Sequence, residues 1–60
     1  MWQYEVGYKN VENQYSNIVY TTDMHEAFEL LKGRNYIKRT RNIDGHEESQ
    51  HYDFSIYHFK

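Results

Sequence analysis

Several groups of polar side chains in this chain have the residue types of catalytic or metal centres, and spacing decides against each. His46, Glu47 and His51 approach the zinc-binding pattern H-E-x-x-H, but the second His arrives one residue late. On a helix, residues five apart point about 140° apart, so the two imidazoles cannot share an ion, and their polar surroundings read as a turn. His51, Asp53 and Ser55 alternate, which on a strand would place all three members of a hydrolase triad on one face. Strand rise separates successive members by about 6.7 Å and the outer two by about 13 Å, whereas proton transfer needs contacts of about 3 Å. Glu47 and Glu48 are adjacent and point apart, His25 and His58 stand alone, and three glycines make no phosphate cradle. With 60 residues and no Cys, the chain has little mass for both a core and a shielded pocket. The expectation is a protein that is not an enzyme and uses neither cofactor nor metal.

A second grouping suits binding. Tyr15, Tyr36, Tyr57 and Phe59 are rings without an obvious place in a core, and Lys38, Arg39 and Arg41 belong to a run of five basic residues from Lys32 to Arg41 that holds no acidic one. Tyrosine offers contact area with a polar tip at little rotamer cost.

The elements that must position these residues are marked by period. Trp2, Tyr4, Val6 and Tyr8 alternate with polar residues, the pattern of a strand with one face on a core. Asn10 to Asn13 reads as a hairpin loop and Gln14 to Thr21, rich in Tyr, Ile, Val and Thr, as the returning strand. A five-residue loop would set Ile18 opposite Val6 and Tyr20 opposite Tyr4, giving better apolar pairs than a four-residue loop that turns Tyr15 and Val19 inward. Met24, Ala27, Phe28 and Leu31 then fall at helical spacing with Leu30 beside them, predicting a helix of about three turns. Thr22 or Asp23 can cap it, Asp23 with Glu26 has the form of a capping box, and Lys32 followed by a left-handed Gly33 can close it.

Tyr36 to Ile43 has strand residues with two mixed faces, which suits a sheet edge guarded by Lys and Arg. Asp44-Gly45 opens a polar turn running to Gln50. Tyr52 to Phe59 alternates again and reads as a central strand, partly covered on both faces. The expected fold class is α+β: a single domain over residues 1–60, β-β-α-β-β, with a four-stranded antiparallel-rich sheet and one helix packed on one face. The helix stripe with Trp2, Tyr4, Val6, Tyr20, Phe54 and Ile56 fills that layer, which leaves Tyr15, Tyr36, Tyr57 and Phe59 for the open face or its rim.

Composition sets the remaining bounds. Charged residues at 27% together with aromatics at 18% describe a chain that folds, since disordered chains are charged and aromatic-poor. Without disulfides a domain of this size needs another staple, and self-association supplies one. The start Met1-Trp2-Gln3 has neither a basic nor an apolar leader region, and no run approaches the roughly 20 apolar residues of a bilayer span. A cytoplasmic, unprocessed chain without membrane attachment is expected. Abundant Asn, Ile, Lys and Tyr suggest an AT-rich genome, such as a low-GC bacterium or its phages and mobile elements. Formal net charge is −2 and becomes +2 when all four His are protonated. Solubility is therefore expected to pass through a minimum near the pI of about 6.0, and a turbidity series that stays flat across that pH would contradict it.

The stretch Thr21-Thr22-Asp23-Met24-His25-Glu26-Ala27-Phe28 resembles the strand-to-helix junction of small three-stranded DNA-reading domains such as the arm-binding domains of tyrosine recombinases. The likeness covers eight residues of mostly capping chemistry. This chain has two strands before the helix and two after it, so no functional residue carries over.

Two functions fit these features. The first is a protein-interaction module, self-associating as a dimer or binding another protein through an open Tyr-rich sheet face or an edge strand, as an accessory or inhibitor protein would. The alternative, ranked second, is single-stranded nucleic-acid binding, with Tyr36 and Tyr57 as stacking platforms beside Lys38, Arg39 and Arg41. The net charge of −2 weighs against it.

Overall fold

A computed structural model describes residues 1–53. The element order is β1 (Gln3–Lys9), β2 (Tyr15–Thr21), α1 (Met24–Leu30), β3 (Tyr36–Ile43) and β4 (His46–Asp53). The strands form one antiparallel sheet in the order β2-β1-β3-β4, a small α+β domain with the helix on one face. Among the described residues no helix is long and apolar enough to cross a membrane.

Side chains of β1 that alternate inward meet the helix. Tyr4, Val6 and Ile37 are buried against Ala27, and Trp2, Leu30 and Leu31 pack around them. Asp23 caps α1, its carboxylate accepting from the His25 N–H at 3.0 Å. Glu26 does not close the expected capping box; its Oε1 accepts from the Thr21 hydroxyl at 2.8 Å. The helix has seven residues, about two turns rather than three. Its end is closed by the Gly33 and Arg34 N–H groups donating to Leu31 O, with no left-handed residue at Gly33.

Strand positions differ from expectation where they are described: β3 is central, and Tyr52 and Asp53 end the outer strand β4, while the rest of the expected strand Tyr52 to Phe59, with Phe54 and Ile56, lies outside the described residues. The turn at Asp44-Gly45 is only two residues long, because both take positive φ, +52° and +82°, the form that matches strand twist. His46 to Gln50 is therefore strand, paired from Ile43↔His46 onward, and not loop. As a central strand β3 needs no charged guard: its basic side chains are shared between the two faces of the sheet.

The β1–β2 loop does have five residues, since Lys9 pairs with Tyr15, and Asn10 Oδ1 organises it by accepting from the Glu12 and Gln14 N–H groups. The expected register nonetheless fails. Between Val6↔Val19 and Tyr8↔Ser16, β1 advances two residues and β2 three, a bulge that Asn17 absorbs at φ +53°. Beyond it Val19, not Ile18, faces Val6, and Tyr20 faces Glu5 on the sheet face away from the helix. Arg34 bolts this bulge to the helix end, its Nε donating to Asn17 O at 2.7 Å and Nη1 to Leu30 O at 3.0 Å.

Asn35 is buried and extends the β1–β3 ladder with its side chain. Its Oδ1 accepts from the Lys9 N–H at 2.8 Å, its Nδ2 donates to Lys9 O at 2.9 Å, and its own N–H donates to Gly7 O. Asn35→Ala strips two backbone groups of their partners and is expected to cost about 2 kcal/mol, read as a lowered urea midpoint.

Candidate protein-interaction surface

The sheet face away from the helix carries Glu5, Gly7 and Lys9 of β1, Tyr36 and Lys38 of β3, His51 and Asp53 of β4, and Tyr15 and Tyr20 of β2. At its centre lies Tyr36. Expected as an exposed binding ring, it is fully buried. The ring lies over Gly7, where a Cβ would stand 2.8 Å from it. Tyr15 meets it edge-on with centroids 5.2 Å apart, and His51 stacks on it at 5.3 Å and 22°. Its hydroxyl donates to Glu5 Oε2 at 2.7 Å, and Lys9 pairs with Asp53 at the same end of the sheet. A ring that finds a glycine across the strand pair can lie flat and bury itself without a second layer of secondary structure.

Burial, and then the hydrogen bond to Glu5, hold the Tyr36 phenol well above the usual tyrosine range. The hydrogen bond to Asp53 raises the Lys9 ammonium above its ordinary 10.5. Both groups bind protons more tightly in the fold than in the unfolded chain, so both contribute stability at neutral pH that is lost as pH rises. For Tyr36 the loss begins near the unfolded value of about 10. Stability is expected to fall steeply from there upward, and Tyr36→Phe should flatten that slope in a chemical-denaturation series.

The basic run splits. Lys38 sits on the Tyr36 face, opposite Glu5 and His51. Arg39 and Arg41 sit on the helix face, their guanidinium carbons 4.0 and 4.2 Å from the centre of the Trp2 ring. Arg39 also donates to Gln50 Oε1 through Nε and Nη2, and Arg41 to Glu48 Oε1 at 2.8 Å. These arginines brace β4 and Trp2 and do not form one stripe with Lys38. Of the expected rings, Tyr15 is half exposed on the rim, Tyr36 is its buried neighbour, and Tyr57 and Phe59 lie outside the described residues. His46 and His51, five apart on a strand, fall on opposite faces of β4. Among the described residues no group of three His, Cys, Asp or Glu side chains could hold a metal ion.

Two exposed apolar surfaces stand out among the described residues. On the helix face, α1 packs mainly on β1 and β2, with Ala27 also in the cluster that holds Ile37 of β3, and the space toward β4 forms a groove of about 280 Å³ among Met24, Phe28, Tyr52 and the floor residues Tyr4 and Ile37. At the other margin, β2 is an outer strand in which no residue from Tyr15 to Thr21 is charged. Tyr15, Ile18 and Tyr20 are 49%, 39% and 60% exposed. Sequence reasoning placed Ile18 and Tyr20 in the core because nothing but Asn17, a residue tolerant of positive φ, signalled the bulge. The absence of charge over seven residues was visible in the sequence and was the signal for this edge.

No family model, curated protein or solved structure matches the chain.

Proposed function

We propose that the chain is a cytoplasmic, non-enzymatic protein-interaction module whose contact edge is β2. The observation that supports this reading is the contrast between the two margins of the sheet. Outer strands present unpaired N–H and C=O groups, and proteins that must stay single guard them with charge or proline. β4 carries Glu47, Glu48 and Asp53, whereas β2 carries neither charge nor proline and exposes Tyr15, Ile18 and Tyr20. Such a margin suits strand addition, in which backbone hydrogen bonds supply affinity and alternate side chains supply selectivity. Burial of Tyr36 and bracing of Arg39 and Arg41 leave nucleic-acid binding without its central ring and two of its basic contacts.

The test is retention on a tagged, full-length bait from its native source at moderate salt, with and without nuclease. The expected result is a protein, either an untagged copy of this chain or another polypeptide, retained by the wild type, lost with Ile18→Lys, and indifferent to nuclease. Retention that vanishes with nuclease, or that Ile18→Lys leaves intact, overturns the reading.

A further inference from the structure

We infer that the partner met by β2 is a second copy of this chain, added antiparallel across a two-fold axis at Val19 to make one eight-stranded sheet. The inference rests on β2 being the contact edge and names what sits there.

Charge selects the edge. No residue of β2 is charged, Arg34 reaching only its bulge at Asn17, whereas two copies of β4 would bring Glu47 of each to the seam, beside Glu48 and Asp53 that Arg41 and Lys9 hold within each chain. Size favours a copy of the same chain. Residues 1–53 bury the apolar side chains Tyr4, Val6, Ala27, Tyr36 and Ile37, the sequence has no Cys for a disulfide, and oligomerisation is a staple open to so small a domain.

Geometry selects the axis. Facing residues of an antiparallel pair share a sheet face, so the two-fold must pass through a residue position and not between two. The Asn17 carbonyl is already occupied by Arg34 and the chain is bulged there, so with the axis at Val19 regular pairing runs from Ile18 to Tyr20 and Thr21 falls opposite the bulge. Centring on Val19 sets Ile18 of each copy against Tyr20 of the other on the Tyr36 face, twice, and Val19 against Val19 on the helix face. This pairs the two exposed apolar residues C-terminal to the bulge with each other. A single strand seam lies at the small end of specific interfaces, and the population of the dimer follows concentration.

Sedimentation of the full chain over a concentration series tests the inference, with far-UV circular dichroism confirming the fold of each variant. The expected result is a mass rising from the 7.4 kDa of one chain toward twice that value. Ile18→Lys and Tyr20→Glu should each weaken the dimer at least tenfold, and Met24→Lys, in the groove on the other side, should leave it unchanged. The chain has no Cys, so Val19→Cys reports the axis directly: facing residues stand about 5 Å apart, within disulfide reach, and mild oxidation should link the copies. Tyr20→Cys places its thiols beyond that reach and should link poorly. A wild type that stays monomeric near millimolar concentration overturns the second copy, while the bait experiment still decides whether β2 binds another protein. A dimer untouched by both β2 charge variants overturns the second copy and the assignment of the edge together.

Discussion

Tyr36→Ala is expected to lower stability by about 3–5 kcal/mol, the range for deleting a buried aromatic ring. That is most of what a chain of this length holds, since folded domains keep roughly 0.05–0.15 kcal/mol per residue. The cost is large because one ring closes the face without a helix: it fills the space over Gly7, supports Tyr15 and His51, and satisfies Glu5. Gly7→Ala attacks the same contact from below, with a Cβ 2.8 Å from Tyr36 Oη and Cε2. Because that clash requires the ring, Gly7→Ala should cost much less in a Tyr36→Ala background than in the wild type, a coupling that a double-mutant cycle measures directly. Gly33→Ala meets nothing within 4 Å and serves as the neutral control. Additive losses from Gly7→Ala and Tyr36→Ala would show that the two residues do not share one contact.

The second large effect falls on association and not on stability. Ile18→Lys places a charge in the middle of the uncharged margin, at a side chain already 39% exposed. Surface substitutions of this kind usually change stability by no more than about 0.5 kcal/mol. A buried, unpaired ammonium in a seam costs far more. The thermal midpoint at low concentration should therefore barely move, while the concentration dependence of the midpoint, which an associating wild type shows by mass action, should disappear. If both proteins show the same rise of the midpoint with concentration, β2 is not the edge through which copies associate.

Much of the fold is legible in the residues. The alternation from Trp2 to Tyr8 and the stripe of Met24, Ala27, Phe28 and Leu31 mark a strand and a helix by local period, although Met24 and Phe28 stay half exposed at the groove, and Asp44-Gly45 marks a turn that closes in two residues and does not run to Gln50. What failed was non-local. Mixed faces on β3 suggested an edge, but a central strand can bear Arg39 and Arg41 when Trp2 and the β4 residues Gln50 and Glu48 take their guanidinium groups. His46 to Gln50 had no strand signal of its own, whereas the tight turn obliges His46 to pair at once, and the alternation from Tyr52 runs on beyond the described residues. One inserted residue at Asn17 inverted the faces of Ile18 and Tyr20, as any slip of a period-two pattern must. Tyr36 was misplaced because its concealment depends on a glycine in another strand, a pairing that exists only once the register of β1 and β3 is known.

The claim that β2 is the contact edge is tested most directly by amide hydrogen exchange of the full chain at low-micromolar and near-millimolar concentrations. Added protection at the higher concentration is expected to be confined to amides between Ile18 and Tyr20, with β4 unchanged. Protection that appears in β4 or α1 while β2 exchanges at the same rate throughout would contradict it.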